Sequence, residues 1–422
     1  VANRAIELYL QKKSENEGWE RQINGLSNNE KANLLLEKHT FKELLADVEQ
    51  RNLQNNIVGL EASRLFARSE INMGVDAFRD SLYAMLKRNT FLNIKFENML
   101  DTLGEMSRTD LYSYLKEWEQ LTPLPFYSIG EPELTKVVNK GGEEFFVLKV
   151  LVSNNSDYDG IIQMNVLQNG WWYQPMEDPR ARKKVEIAAH TSKEFVSVWE
   201  EQIRDVEINT MVSGNLPYMI RQSIGNVKQE RNKIVKDTIY TLPESSLEMP
   251  GEVIVDNEDS TLFVLSTPAV VGLLPKWLDK VEDTSFKYSG ISWWRAPLQW
   301  TATTNAKYYG KYIRSAYVIK SGDGSQTATW KIPVPEAGQY ELYYHVFKDD
   351  ELRWNDRLQG EYHFRVAYDS EMEDAYINLR KANEGWEQLG TYYFSADTVR
   401  VVLTDECKLR SVTADAVKIV KR

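Results

Sequence analysis

Cysteine and histidine are scarce in this chain, and both shortages restrict its chemistry. Cys407 is the single cysteine in 422 residues, which excludes an internal disulfide framework and a cysteine-based zinc site. The four histidines never form the His-Glu-x-x-His pattern in which two imidazoles one helical turn apart bind zinc. The sequence therefore identifies no catalytic residue, and zinc is not expected.

Long apolar runs and basic stripes are also lacking. The longest apolar run, residues 268–275, is bracketed by proline and falls well short of the roughly 20 residues of a membrane-spanning helix. Lys and Arg total 51 against 62 Asp and Glu, which gives a net charge of -11. Nucleic acid is bound largely through its phosphates, so we expect no nucleic-acid partner.

Helical periodicity is present in the first 125 residues. Apolar residues recur at helical spacing in four stretches, 34–48, 75–86, 96–103 and 111–118. Gly104 is expected to end the third helix, and Pro123 and Pro125 to stop the fourth. These patterns predict a helical domain over residues 1–125.

Alternating polar and apolar residues replace this periodicity from about residue 130. Strands are predicted at 145–152, 161–167, 185–188 and 206–211, separated by Asn, Asp and Gly turns. They indicate a small β-sandwich over 126–228, followed by a polar linker over 229–250. Further strands, with a short helical insertion at 273–281, predict a jelly-roll-like β-sandwich over 251–422. The predicted fold class is multidomain α + β, with a helical array before two antiparallel β-sandwiches.

Short motifs in the first half resemble a known enzyme family. The segment 74–78, Asp110-Leu111 and Trp118 before Pro123 resemble the C-terminal end of the catalytic region in zinc aminopeptidases of the thermolysin-like clan. Segments 152–155 and 213–217 resemble the β-domain that follows that region. The zinc signature is missing, so no family ligand is carried over. The resemblance implies either a piece downstream of the metal site or a relative that lost it.

A cellular location is implied by the same resemblance. In some bacterial relatives, such a peptidase-like region follows a transporter permease on one chain. That arrangement implies an extracytoplasmic location, in the periplasm or at the cell surface, with a parent protein anchored in the membrane.

The last third of the chain is similar to the golvesin and xanthan-lyase type carbohydrate-binding-like domain. The similarity lies in six short motifs, at residues 255–257, 309–310, 328–330, 338–341, 385–390 and 413–417. Motifs 385–390 and 413–417 are typical of a closing hairpin. The resemblance implies a β-sandwich that recognises glycans.

An aromatic-rich segment supplies the candidate ligand-binding residues. Sugar rings stack on flat aromatic side chains, so a platform is predicted from five residues: Trp293, Trp294, Trp300, Tyr309 and Trp354. The alternative is that these rings fill the sandwich edge or a domain interface.

Two further sets of residues carry weaker chemical signals. Asp256, Glu258 and Asp259 offer hard oxygen ligands suited to calcium, although Asp-Asn at a strand end is also ordinary turn chemistry. His345 and His363 are predicted to lie on neighbouring strands and to face each other. The alternative is a structural aromatic patch that includes the adjacent Tyr344 and Tyr362.

These observations favour a non-catalytic C-terminal region of a peptidase-like bacterial protein. Its last β-sandwich would bind a polysaccharide or a protein partner. Two alternatives stay open. One is an enzyme, either a polysaccharide lyase or a degenerate metallopeptidase, and the other is a pure protein-interaction scaffold.

Overall fold

The computed structural model describes residues 2–10, 17–90, 92–121, 123–167, 178–232, 234–244, 247, 251–266, 286–291, 295–348 and 360–422. It consists of two compact units. The first unit is Val1–Glu15 with Asn28–Leu247, and the second is Asn16–Ser27 with Glu248–Arg422. The predicted helix at 273–281 and the residues Trp293, Trp294 and Trp354 lie outside the described residues.

Helices dominate the N-terminal third of the described chain. They are α1 (Ala2–Leu10), α2 (Glu17–Asn24), α3 (Asn28–Leu36), α4 (Phe41–Ala46), α5 (Gln54–Met73), α6 (Val75–Arg88), α7 (Phe96–Ser107) and α8 (Leu111–Lys116). In the first unit they pack around α5, whose Phe66 meets Tyr9 of α1 and Phe78 of α6 with ring centroids 4.9 and 5.6 Å apart. A second contact joins Phe41 to Trp118 at 4.5 Å.

The prediction that Gly104 ends a helix is wrong, because α7 continues to Ser107. The Thr109 amide donates to the Gly104 carbonyl at 2.9 Å as the chain folds back beyond the helix. A Cβ at Gly104 would lie 2.5 Å from the Thr109 carbonyl oxygen. Glycine is needed here for a close backbone approach, and the left-handed Arg108 makes the actual stop.

Strands of the first unit form two facing sheets. They are β1 (Tyr127–Ile129), β2 (Glu133–Val138), β3 (Glu144–Asn154), β4 (Gly160–Leu167), β5 (Arg182–Ile187), β6 (Thr191–Trp199), β7 (Asp205–Asn209), β8 (Met219–Ser223), β9 (Val227–Arg231) and β10 (Thr238–Pro243). One sheet runs β10-β6-β3-β2-β9 with β1 on β3, and the other runs β5-β4-β7-β8. The pairing is antiparallel except for β2 with β9. Within the stretch predicted as a linker, β10 pairs with β6.

The second unit is built from twelve further strands among the described residues. They are β11 (Glu252–Val255), β12 (Phe263–Leu265), β13 (Thr301–Thr304), β14 (Ser315–Lys320), β15 (Thr327–Pro333), β16 (Gly338–Val346), β17 (Glu361–Tyr368), β18 (Glu371–Asn378), β19 (Gly385–Phe394), β20 (Thr398–Thr404), β21 (Ser411–Ala414) and β22 (Val417–Lys421). They form a β11-β22-β16-β19 sheet, a β12-β15-β20-β17-β18 sheet and a three-stranded β13-β14-β21 sheet.

The core of the second unit lies between its two larger sheets. Tyr344 of β16 contacts Trp330 of β15 and Phe364 of β17, with ring centroids 6.1 and 4.9 Å apart. All three side chains are fully buried. Alternation along β16 places Tyr340, Leu342, Tyr344 and Val346 inward and the residues between them outward.

Helix α2 and the turn after it belong to the second unit. Gly25 has a φ of +79° and lies so close to the Ser289 backbone that a Cβ would meet it at 2.4 Å. The Thr304 hydroxyl donates to the Gly25 carbonyl at 2.9 Å. A segment distant in sequence is therefore fixed by backbone contacts that require glycine.

The predicted fold class is confirmed. A mainly helical N-terminal part precedes antiparallel sheets that pack as β-sandwiches. Among the described helices, none combines the length and the apolar character needed to cross a bilayer.

Candidate functional site

Asp415 is a fully buried carboxylate at the junction between β21 and β22. The Tyr309 backbone amide donates to its two oxygens at 3.1 and 3.2 Å. The indole nitrogen of Trp330 donates to the Asp415 carbonyl at 3.2 Å. Three motifs that are far apart in sequence thus meet at one residue.

His345 provides the side-chain hydrogen-bond partner of this carboxylate. Its neighbour Tyr344 points inward, and the Tyr344 hydroxyl donates to the Thr413 carbonyl. His345 is therefore directed to the outer face of the sheet, where its Nδ1 lies 2.9 Å from Asp415 Oδ2. The histidine side chain is 13% exposed, so one edge of the ring reaches solvent.

Two aromatic rings flank His345. Trp386, the cross-strand partner of His345 on β19, has its ring centroid 5.1 Å from the imidazole and 5.0 Å from Tyr309. The Lys418 ammonium lies 4.8 Å from the Trp386 ring and 2.7 Å from Glu252. We name this group the Asp415 site; it comprises Tyr309, His345, Trp386, Asp415 and Lys418.

The contact with Asp415 favours one tautomer of the neutral His345 ring. A carboxylate at Nδ1 favours the tautomer that carries its proton there, which leaves the Nε2 lone pair as an acceptor. Among the described residues, Nε2 has no hydrogen-bond partner. The site thus presents a hydrogen-bond acceptor at the rim of two aromatic rings.

A second polar cluster lies beside the Asp415 site. Glu258 Oε1 accepts the Tyr288 hydroxyl at 3.0 Å and the Ser315 hydroxyl, and Oε2 contacts Lys287 at 2.5 Å. Burial, together with the charges of Asp415 and Glu258, raises the pKa of Asp256 well above its usual range. Burial also raises the pKa of Asp415, although His345 opposes this.

These raised pKa values predict a pH-dependent stability of the second unit. Folding favours the protonated carboxyls, so their contribution is complete below about pH 4 and is lost as pH rises through the folded-state pKa values. In the presence of a chelator, β16 and β22 should exchange amide hydrogens more slowly at pH 5 than at pH 7, after correction for intrinsic exchange rates.

Two variants separate this effect from a general response to acid. Asp256→Asn should reduce the difference in exchange protection between pH 5 and pH 7. Asp323→Asn should preserve it, because Asp323 is exposed and its pKa is lowered by hydrogen bonds to Ser325. Equal exchange protection at both pH values in the unmodified protein would contradict the prediction.

The prediction that His345 and His363 face each other is wrong. β16 pairs with β19 and β22, whereas β17, which carries His363, pairs with β18 and β20. Their inward neighbours Tyr344 and Tyr362 do meet, at 6.2 Å, so the structural aromatic patch is confirmed. His363 instead stacks on Tyr376 at 4.9 Å and contacts Asp374 and Glu406.

Motifs 385–390 and 413–417 do not form a closing hairpin. β19 and β22 lie on opposite sides of β16, which separates them. The hairpin prediction fails because closeness in sequence does not determine which strands pair within a sheet. The two motifs are nevertheless brought together, since Trp386 and Asp415 both contact His345.

The predicted aromatic platform is only partly within the described residues. Tyr309 belongs to the Asp415 site, whereas Trp300 packs against the hydrophobic core of the second unit. His345 and Asp415, which carry the polar chemistry of the site, were not predicted as ligand-binding residues. The sequence did contain one signal for the site: Asp415 is an acidic residue among apolar strand residues. A buried charge requires partners, so such a residue indicates a polar site.

The predicted calcium residues have separate roles in the structure. Asp259 accepts hydrogen bonds from the Thr261 amide and hydroxyl at 3.2 and 2.7 Å within its own turn. Glu258 is bound by Lys287, Tyr288 and Ser315. In the part of the chain that is described, no three His, Cys, Asp or Glu side chains are grouped so as to hold a metal ion.

The fold and the site define a β-sandwich module with an aromatic and histidine-bearing surface. Residues 294–421, fewer than half of the chain, match the Golvesin C-terminal domain family. A search of curated proteins finds no match.

Solved structures offer only remote likenesses. A Paenibacillus xanthan lyase is 17% identical over 71% of this chain, with a TM-score of 0.29. A Bacteroides uniformis β-glucuronidase is 12% identical over 75% of this chain, with a TM-score of 0.20. The matches span 27% and 32% of those two proteins. Similarities this low carry no argument about function.

Proposed function

We propose that the second unit is a carbohydrate-binding module and that its ligand is a polysaccharide bound at the Asp415 site. The observation that carries this proposal is the acceptor Nε2 of His345 at the rim of the Trp386 and Tyr309 rings. Sugar rings have apolar faces that pack on aromatic rings, while their hydroxyl groups donate to acceptors such as a neutral imidazole. The Golvesin-type match of residues 294–421 supports the same reading.

The structure of the site favours specific binding over general adhesion. Asp415 and the Tyr309 amide hold the imidazole and one ring in place before a ligand arrives. Such preorganisation reduces the entropic cost of binding. Lys418 and Glu252 neutralise each other beside Trp386, so the site carries hydrogen-bonding groups without a large net charge.

Glycan-array screening of the whole chain, followed by calorimetry on the best polysaccharide, tests this proposal. Trp386→Ala should weaken binding at least tenfold, because central aromatic contacts supply most of the affinity in small sites. His345→Ala should also weaken binding by removing the acceptor.

Tyr393→Ala is the matched control. Tyr393 lies on the same strand as Trp386 and is 66% exposed, yet it is outside the Asp415 site. Equal losses for Trp386→Ala and Tyr393→Ala would contradict binding at this site. The absence of binding across microbial, plant and host glycans would overturn the carbohydrate proposal.

A second function is favoured by one specific observation, the Asp415–His345 pair beside Tyr309. A carboxylate-oriented imidazole can act as a general base, and Arg314 lies near enough to lower the pKa of Asp415. This arrangement fits proton abstraction from a uronic acid by a polysaccharide lyase. The assay is ultraviolet absorbance of the unsaturated uronic product, with His345→Ala as the inactive control. Polysaccharide binding without any such product would reject the lyase.

We propose that the helical part and the first β-sandwich belong to a peptidase-like parent, as the motifs within residues 55–220 suggest. An extracytoplasmic location, in the periplasm or at the cell surface, fits a polysaccharide ligand. Fractionation of cells that produce the full open reading frame tests the location.

A further inference from the structure

Three cationic side chains lie together on the outer face of the β12-β15-β20-β17-β18 sheet. Buried and more exposed residues alternate along β15, β17 and β20, and Lys331, Arg365 and Arg400 all take outward positions. Lys331 pairs directly with Arg400. Arg365 pairs with Val402, two residues from Arg400, so Arg365 and Arg400 are diagonal neighbours. We name Lys331, Arg365 and Arg400 the cationic row.

The members of the cationic row are close enough to repel each other. Directly opposite residues in an antiparallel pair have Cβ atoms about 4.5–5.5 Å apart, and diagonal neighbours about 7–8 Å. Like charges at such positions destabilise a sheet. In the described part of the second unit, none of the three side chains forms a hydrogen bond or an ion pair. The row therefore carries positive charge that the described residues do not neutralise by direct contact.

Two acidic side chains at one end of the row contact His363 instead of Arg365. Asp374 is directly opposite Arg365 on β18, yet its Oδ1 lies 2.8 Å from His363 Nε2. Glu406, beyond the end of β20, has its Oε2 3.2 Å from His363 Nδ1. Arg365 Nε is shielded from solvent and has no acceptor among the described residues. A shielded donor without an acceptor is unfavourable, so the row lacks an anionic partner.

We propose that the cationic row binds an acidic polysaccharide that carries a carboxylate on most of its sugar units. Arginine donates charge-assisted hydrogen bonds to carboxylates, and the bound anions would offset the repulsion within the row. The overall charge of the chain is -11, but at physiological ionic strength charges beyond about 8 Å are largely screened. The local positive charge therefore selects the ligand.

The position of the cationic row favours a polysaccharide over an acidic protein segment. Extended peptides bind by adding a strand to an open sheet edge or by lying in a groove. The row instead crosses β15, β20 and β17, and each of these has a neighbouring strand on both sides. Thr329 and Thr398 also take outward positions, and Tyr376, which stacks on His363, is 58% exposed. Hydroxyl groups and an open aromatic ring suit sugars.

Polygalacturonate is the probe, because it carries one carboxylate per sugar, and its methyl ester is the matched neutral polymer. In calorimetry of the whole chain at low ionic strength, polygalacturonate should bind at least tenfold more tightly than the ester. Added salt should weaken the binding, because the contacts are electrostatic. No binding of polygalacturonate, or equal affinity for the ester, would overturn the proposal. Polyglutamate that binds as tightly as polygalacturonate would also overturn it, in favour of an acidic protein partner.

Two double substitutions test whether the row is the binding surface. Arg365→Gln with Arg400→Gln should weaken polygalacturonate binding at least tenfold, whereas the same positions changed to Lys should retain most of it. Arg295→Gln with Lys320→Gln is the matched control, because it removes two exposed cations of the second unit that lie outside this sheet. The control should bind within twofold of the unmodified chain. Equal losses in the two glutamine variants would overturn the proposal.

Trp386→Ala distinguishes the cationic row from the Asp415 site. The row does not depend on the function proposed for that site, because the two lie on the outer faces of different sheets. Trp386→Ala should therefore leave polygalacturonate binding unchanged, and the inference can hold even if the Asp415 site binds no glycan. Loss of polygalacturonate binding in Trp386→Ala, with binding retained after both arginines are changed to Gln, would overturn the inference.

Discussion

Replacing Glu70 with alanine is expected to lower the free energy of unfolding of the first unit by about 3–5 kcal/mol. Glu70 of α5 accepts the Tyr9 hydroxyl at 2.5 Å and forms an ion pair with Lys184 of β5. The two charged side chains are only 2% and 10% exposed. Removing the carboxylate leaves a buried ammonium without its partner.

The burial of Lys184 explains why the cost is large. Burial lowers the pKa of the Lys184 ammonium, and the charge of Glu70 opposes this change. Without Glu70, the lysine must lose its proton or admit water into the packing between α5 and β5. Either outcome disfavours the folded state.

Urea unfolding of the whole chain measures this effect, with hydrogen exchange of α5 peptides to assign the transition. The double variant Glu70→Leu with Lys184→Met should recover most of the loss, because it removes both charges together. Glu133→Ala is the matched control. Its partner Lys228 is 62% exposed, so it should cost less than about 1 kcal/mol. Equal losses for Glu70→Ala and Glu133→Ala would refute the argument.

Replacing Asp415 with alanine is the second change with a large expected effect, a loss of about 3–4 kcal/mol in the second unit. The substitution removes the acceptor for the Tyr309 amide and for the Nδ1–H of His345. Both groups would be left without this partner, in a site from which solvent is largely excluded.

Asp415→Asn keeps the size of the side chain and should cost less, about 1–2 kcal/mol, since the amide oxygen can still accept one hydrogen bond. Hydrogen exchange of peptides that contain Tyr309 and His345 should rise in both variants. A loss below about 1 kcal/mol for Asp415→Ala would mean that the carboxylate does not hold the site together.

The order of the secondary structure was largely predictable because it depends on local periodicity. The strands predicted at 145–152 and 161–167 correspond to β3 and β4, and the helix predicted at 75–86 to α6. The longest described helix, α5, was missed. Its buried face includes Glu61, Ser69 and Glu70, and polar residues at core positions obscure the helical pattern. Their partners lie far away in sequence.

The candidate site was less predictable, for a similar reason. Tyr309 was selected as an aromatic residue near other aromatic residues, but the importance of His345 depends on its pairing with Asp415, 70 residues later. The predicted meeting of the two histidines failed because β16 and β17 join different sheets. Sequence separation gives no information on which of two facing sheets a strand enters.

The sequence by itself determined the fold class, since helical and alternating apolar periodicities follow from the local geometry of helices and strands. Its acidic charge balance also predicted that nucleic acid is not a partner, and this stays a prediction. Only the tertiary structure decided that Trp386, Asp415 and His345 form one site. These contacts join residues that are distant in the chain, and strand pairing across the sheets brings them together.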